Sequence, residues 1–230
     1  MINSHTALYA LIGGLFPTLI WLHFWLAEDK IHPEPRGRII YTFLMGAVAV
    51  IIVLPFEKIV SDNFPNAGIM AFFLWATLEE CFKFGAAYIT GFRTRFFDEP
   101  MDAVVYMVTA ALGFSALENT FFVLSPIIQG NALDSIITTN LRFVGASLLH
   151  ILASGVLGAF IAFAFYKRPA IRKMLIALGL ICAIALHTLF NFFIIDNDSK
   201  YILIVFGSIW MSIIILILLI ERIKLIKKNN

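Results

Sequence analysis

The chain has 230 residues, of which 60% are hydrophobic and 14% are charged, and its mean hydropathy is +0.90. This apolarity excludes an ordinary soluble globular protein, and a formal net charge of +2 gives no basis for a nucleic-acid partner. We therefore expect an all-α, polytopic bundle of transmembrane helices in a lipid bilayer. Residues 1–230 are expected to form one membrane-embedded domain, and the oligomeric state is left open.

Apolar runs of about 20 residues, the length that crosses about 30 Å of hydrocarbon, recur along the chain. We predict about seven spans, at residues 7–27, 39–56, 68–90, 101–124, 143–166, 174–195 and 201–220. No Lys or Arg precedes the first run, which favours an uncleaved helix over a signal peptide. Residues 125–142 are predicted as a long loop in which Ile136 and Ile137 could form a short interfacial helix.

Lys and Arg are concentrated in every second connection between the predicted spans. The basic connections contain Lys30, Arg36, Arg38, Arg93, Arg95, Lys167, Arg168, Arg172, Lys173, Arg222, Lys224, Lys227 and Lys228. The alternate connections contain only Lys58, Arg142 and Lys200. By the positive-inside rule, the N-terminus and the 125–142 loop are predicted to lie outside and the C-terminus in the cytoplasm.

The third predicted span contains three ionisable residues, Glu79, Glu80 and Lys83. A charge near the bilayer centre costs at least ~2.5–3.5 kcal/mol, so such groups usually pair, face a cavity or take part in function. On a helix, Lys83 can reach both carboxylates across one turn. Neighbouring residues differ by about 100° around the axis, so one glutamate is expected to face the chemistry and the other a supporting partner. The alternative is a pair that only neutralises charge.

Polar residues also interrupt the fourth, fifth and sixth predicted spans: Glu118, Asn119, His150, His187 and Asn191. At about 1.5 Å of rise per residue, Glu79 lies roughly 16 Å below the outer end of its helix, and Glu118, His150 and His187 roughly 9–12 Å below theirs. A single histidine could simply bond neighbouring helices. Three carboxylates, two histidines and a lysine at similar depth instead favour a functional site.

Carboxylates with histidines support two hydrolytic mechanisms. One of Glu79 and Glu80 could act as general base on a water while a histidine stabilises the oxyanion. Alternatively, His150 and His187 could hold Zn²⁺ that activates the water. Glu118 is expected to position the water or a histidine proton. The chain has neither an HExxH nor a GxSxG motif, the signatures of soluble zinc and serine hydrolases.

In this order, the motifs resemble those of the PrsW family of intramembrane proteases. They are Glu79-Glu80-x-x-Lys83, Phe114-x-x-x-Glu118-Asn119, His150 and His187-x-x-x-Asn191, together with Glu28-Asp29, Pro33-Glu34-Pro35-Arg36 and the run from Asp102 to Tyr106. The type II CAAX prenyl endopeptidases are distantly similar but carry His where this chain has Glu118. Ala103 and Met107 stand where the family pattern would have glycine, which concerns helix packing.

The resemblance implies catalytic roles for Glu79, Glu80, Glu118, His150 and His187, with Lys83, Asn119 and Asn191 in support. It also implies cleavage, from the extracytoplasmic side, of a single-span membrane protein such as an anti-sigma factor, in a prokaryotic cytoplasmic membrane. Two other hypotheses use the same residues. One is a proton- or cation-coupled transporter, although no paired broken helices are evident; the other is a haem protein with His150 and His187 as ligands.

Overall fold

The computed structural model describes residues 4–30, 32–65, 68–196 and 201–227. All regular secondary structure in these ranges is helical. The α-helices are α1 (Ser4–Leu26), α2 (Arg36–Asn63), α3 (Ile69–Ala87), α4 (Pro100–Ile128), α5 (Ala132–Leu141), α6 (Ser147–Phe163), α7 (Pro169–Asn191) and α8 (Ile202–Ile223). The all-α fold predicted from the composition is therefore confirmed.

Most of these helices have the length and composition of membrane spans. Within the described ranges, six segments are long and apolar enough to cross a membrane: His5–Asp29, Arg36–Asn63, Pro100–Ile128, Leu133–Phe163, Pro169–Ile195 and Ile202–Ile223. Helix α3 has 19 residues, but it carries Glu79, Glu80 and Lys83 on an otherwise apolar sequence. The architecture is thus a polytopic helical bundle in which α3 holds the buried charges.

Helix α4 lies at the centre of the bundle and packs against α1, α2 and α6. Its first 17 residues, Pro100 to Ala116, are all buried. Two glycines let α2 approach it closely. A Cβ atom on Gly46 would lie 2.0 Å from the Ala110 carbonyl oxygen, and one on Gly113 would lie 1.9 Å from that of Phe43. The two backbones are therefore in direct contact, as small residues allow in membrane helices.

The crossing of α4 and α6 explains why Ala103 and Met107 are tolerated. Both side chains are fully buried. The glycine at this crossing belongs to α6: a Cβ atom on Gly158 would lie 3.0 Å from the Ala103 carbonyl oxygen and 3.3 Å from the Met107 Cβ. Close packing is preserved because the small residue lies on the partner helix.

The predicted loop at 125–142 is wrong in extent, because most of it is helical. Helix α4 continues to Ile128, and α5 begins at Ala132 after a tight turn in which Gly130 has a φ of 75°. The Asn131 side chain caps α5 by accepting the backbone N–H of Asp134. A π-helical turn, Arg142–Ala146, then joins α5 directly to α6. The short helix expected around Ile136 and Ile137 is therefore present as α5.

The connection after α1 packs against the beginning of α4. The Tyr106 hydroxyl donates a hydrogen bond to the Glu34 carboxylate. The Asp102 carboxylate accepts the backbone N–H groups of Asp98 and Glu99, both at 2.8 Å, and so caps α4. Burial raises the pKa of the Glu34 carboxyl. Two motifs that are 72 residues apart in sequence therefore meet at one end of the bundle.

Candidate active site

Helix α3 directs its three ionisable side chains inward. Glu79 is 5% exposed, and Glu80 and Lys83 are fully buried. The neighbouring helices are α2, α4 and α7, so none of the three groups faces lipid. Burial of this kind is tolerated only when charges are paired and hydrogen-bonded.

Lys83 is the hub of the polar network. Its Nζ atom donates to Glu80 Oε1 at 2.7 Å and bonds His150 Nδ1 at 2.8 Å, and it lies 3.5 Å from Glu79 Oε2. It also lies 4.6 Å from the centroid of the Phe114 ring. An ammonium group has three protons and no acceptor; it bonds Glu80 and His150, and Glu79 is a more distant ion-pair partner. The expected contact of Lys83 with both glutamates is present, and His150 is an additional partner.

Glu80 is held on several sides. Besides Lys83, the Ser154 hydroxyl donates to Glu80 Oε2 at 3.1 Å, and His187 Nδ1 lies 2.9 Å from Oε1. A carboxylate can only accept hydrogen bonds, so His187 Nδ1 must carry a proton. In the neutral ring this leaves the lone pair on Nε2. Glu80 thereby fixes the tautomer and orientation of His187.

Glu79 has the opposite character. Its Oε2 atom is buried and has no hydrogen-bond partner within the described structure. It lies 3.7 Å from His187 Nε2, the nitrogen that carries the lone pair. Two acceptors at this distance suit a water that donates to both of them from one side, or a cation that both coordinate. The two glutamates therefore point in different directions, as expected from the helix: Glu79 lines the cavity and Glu80 bonds the polar network, while their roles in the reaction stay predictions.

His150 and Glu118 form the opposite wall of the site. His150 Nε2 lies 2.9 Å from Glu118 Oε2. Because Lys83 donates to Nδ1, the proton of His150 is on Nε2 and is donated to Glu118. Arg142 bonds Glu118 through Nη2 and the Asn119 side-chain oxygen through Nε. Glu118 therefore accepts the proton of His150, and its role in the reaction stays a prediction.

Asn119 connects this wall to α6. Its Nδ2 atom donates to Ser147 Oγ at 3.0 Å and to Ser115 Oγ at 3.2 Å. Together with the bond from Arg142, these contacts use both ends of the Asn119 amide. Asn191 lies elsewhere, on the wall of a large cavity.

A cavity of about 540 Å³ opens onto the site. Its lining includes Glu79, Glu118, His150, His187 and Asn191, so the structure brings four of the five expected catalytic residues to one space. The fifth, Glu80, lies behind it. Glu57 also lies on this lining but is not predicted from the sequence, and Arg142, a further lining residue, is predicted there only as a topology residue. Glu57 directly follows the end of the predicted second span, and a carboxylate at a span boundary was the available signal.

The candidate metal ligands extend beyond the two histidines. One ligand atom from each of Glu79, His150 and His187 lies within 4.8 Å of the others. The unpartnered Glu79 oxygen and the lone pair of His187 suit Zn²⁺, which prefers nitrogen and carboxylate ligands. Both ring nitrogens of His150 are hydrogen-bonded, so ligation by His150 requires Lys83 or Glu118 to move. The histidine rings lie 5.2 Å apart, centroid to centroid, which leaves no room between them for a porphyrin.

The apolar helices define a multi-pass membrane protein. The carboxylates and histidines that face its cavity are the bases and metal ligands that hydrolases use. Residues 34–219 match the family described as PrsW family intramembrane metalloprotease. The chain belongs to this family and is an intramembrane protease, which confirms the resemblance and sets aside the transporter and haem hypotheses.

Relatives of similar length support this assignment. The protein named Protease PrsW from Oceanobacillus iheyensis is 29% identical over 196 residues, covering 84% of this chain and 86% of the relative. The one from Shouchella clausii is 24% identical over 215 residues, covering 93% and 94%. The one from Bacillus subtilis is 23% identical over 208 residues, covering 88% and 92%. No solved structure matches the chain.

Proposed function

We propose that the chain, as a single domain of 230 residues, hydrolyses a peptide bond in single-span membrane proteins such as bacterial anti-sigma factors. The named relatives come from bacteria, which supports a prokaryotic cytoplasmic membrane as the location. The distribution of Lys and Arg supports an extracytoplasmic N-terminus and a cytoplasmic C-terminus. In this orientation the cavity faces the extracytoplasmic side, because it is lined by Arg142 and the ends of α2 and α7.

The observation that carries the mechanism is the unpartnered Glu79 Oε2, 3.7 Å from the His187 nitrogen that carries the lone pair. A water between these atoms is the nucleophile. Glu79 takes its proton as general base, while His187 orients it. Glu80 does not take this role, because its oxygens already accept bonds from Lys83, Ser154 and His187.

The remaining residues orient the two histidines and stabilise charge. His150 lines the cavity, and its ring proton bonds Glu118 in the free protein. We assign this proton to the oxyanion that forms on the scissile carbonyl, which requires the bond to Glu118 to open when substrate binds. Lys83 and Glu118 hold this ring from its two nitrogens. The Lys83 ammonium also offsets the negative charge of Glu79 and Glu80 in a site with little water.

Zinc fits the same donors. Glu79, His150 and His187 are the residues that would hold it. When bound, Zn²⁺ would supply a Lewis acid that lowers the pKa of its water. Glu80 would then be the partner that orients His187, as carboxylates commonly do for metal-binding histidines.

Co-expression with bacterial anti-sigma factors that carry an epitope tag at each end tests the proposal. The parent should cut at least one of them, and Glu79→Gln and His187→Ala should cut none while remaining in the membrane. Glu221→Gln is the matched control, because this carboxylate is exposed on α8 and pairs with Lys224. Zinc measured in the purified proteins separates the two mechanisms: the metal mechanism requires about one ion per chain, lost in His187→Ala. If the parent cuts no single-span protein, the proposed substrate class is wrong.

A further inference from the structure

Arg142 lies at the junction of α5 and α6, where the π-helical turn Arg142–Ala146 begins. Single π-helical turns are frequent at functional sites. The Arg142 side chain is 14% exposed and lines the cavity. It therefore stands between the outer end of the bundle and the buried polar network.

Three contacts fix the orientation of the guanidinium group. Its Nη2 atom donates to Glu118 Oε2 and its Nε atom to the Asn119 side-chain oxygen. Its central carbon lies 3.9 Å from the centroid of the Phe122 ring. A planar fork that stacks on a ring and bonds two acceptors is a geometry that arginine provides and lysine does not.

The Glu118 oxygen bonded to Arg142 is the same atom that accepts the proton of His150. Arg142 therefore acts on His150 through Glu118, because it bonds the oxygen atom that accepts the histidine proton. The network continues through His150 Nδ1 to Lys83, and from Lys83 to Glu80. A displacement of Glu118 would reorient the ring that faces the cavity.

We propose that Arg142 is a positioning residue of the proteolytic site: it holds Glu118 where Glu118 accepts the Nε2 proton of His150, and so fixes the tautomer and orientation of that histidine. The inference rests on the proposed function for its kinetic consequence. Its structural consequence, the state of His150, does not depend on that function.

The distribution of charge supports the assignment. Glu79, Glu80 and Glu118 bring three carboxylates to the site, and Lys83 and Arg142 are the cations that pair with them, so loss of either cation would leave more buried negative charge unpaired. Arg142 is the cation next to Glu118. Lys58 provides a contrast, because it also lines the cavity but pairs at 3.1 Å with Asp62 on the exposed surface.

Kinetics in liposomes, with a single-span substrate that the parent cleaves, test the inference. Arg142→Gln should lower kcat about 10–100-fold, the usual effect of losing the partner of an active-site ligand, with KM within about threefold. Arg142→Lys should recover part of this loss, because it keeps the charge without the fork. Lys58→Gln, the matched control, should keep the parent's kcat. Because Arg142 acts through Glu118, the losses from Arg142→Gln and Glu118→Gln should not multiply in the double variant.

Nitrogen NMR of protein labelled with ¹⁵N-histidine gives a readout independent of cleavage. The Nε2-protonated signal of His150, assigned with His150→Ala, should shift or broaden in Arg142→Gln and stay unchanged in Lys58→Gln. If Arg142→Gln does not fold, Arg142→Lys serves for both measurements. Parental kcat in the Arg142 variants, or an unchanged His150 signal, would overturn the inference. If the parent cleaves no substrate, the proposed function fails, and the NMR result still decides the role of Arg142.

Discussion

Glu79→Gln and Glu80→Gln replace adjacent carboxylates by the same amide, yet we expect different outcomes. Glu79 Oε2 has no hydrogen-bond partner and faces the cavity, so an amide there removes a base and only the longer ion pair with Lys83, at 3.5 Å. Glu80 makes three bonds, to Lys83, His187 and Ser154. An amide at Glu80 removes the main counter-ion of a fully buried ammonium group.

The magnitudes follow from these contacts. Loss of a general base typically costs about 10²–10⁴-fold in rate, which we expect for Glu79→Gln with little change in stability. Removing one partner of a buried ion pair typically costs about 3–5 kcal/mol. Glu79 remains 3.5 Å from Lys83 as a second anion, so we expect the lower part of that range for Glu80→Gln, together with loss of activity through His187.

Thermal unfolding in detergent and cleavage in liposomes, measured on the same preparations, separate the two effects. Glu79→Gln should unfold at nearly the parent's midpoint, and Glu80→Gln should unfold several degrees lower. A midpoint for Glu80→Gln equal to that of the parent, or an equal loss of midpoint in both variants, would refute the division into a base and a supporting residue.

The other predictions concern packing, pH, metal and topology. Gly46→Ala should reduce the yield and unfolding midpoint of the protein, because its Cβ would lie 2.0 Å from a carbonyl oxygen of α4; Gly85→Ala, with no atom within 4 Å of its Cβ, is the control expected to match the parent. Because burial raises the pKa of the Glu34 carboxyl, the folded state holds that proton more tightly than the unfolded chain. The free energy of unfolding should therefore fall as pH rises from the ordinary carboxyl range through the raised pKa, and Glu34→Gln should make the midpoint less dependent on pH over that range; an identical dependence in parent and variant would contradict this. If zinc is used, a chelator should abolish cleavage and added zinc should restore it. Cleavage that persists in metal-free protein would exclude the metal mechanism, and only the glutamate mechanism would remain. A reporter fused after Asn230 should be active only in its cytoplasmic form, and extracytoplasmic activity would reverse the proposed orientation.

The sequence predicts the site residues better than their partners. The cost of charge in the membrane is enough to single out Glu79, Glu80 and Lys83, and helical geometry is enough to predict that the two glutamates diverge. Neither principle tells which glutamate faces the cavity, since that depends on how α3 packs against α2, α4 and α7. The bond from Lys83 to His150 joins residues 67 positions apart, a distance at which spacing has no predictive value.

The end of the bundle that contains α5 is the part that the sequence predicts least well. Residues 125–142 are predicted as a loop from the sequence, but most of them are helical and Asn131 caps α5. Arg142 read as a topology residue because basic residues at span ends usually have that role. Its bond to Glu118 depends on the continuous path of α5 into α6, which no local pattern indicates.

The most direct test of the account is cleavage by purified protein in liposomes that contain a single-span substrate and no other enzyme. We expect the parent to produce two fragments whose new termini, located by mass spectrometry, lie within or next to the span. Glu79→Gln in matched liposomes should leave the substrate intact. An intact substrate with the parent, accompanied by proton flux into the liposomes that Glu79→Gln abolishes, would contradict proteolysis at this site and indicate that the buried carboxylates and histidines carry ions.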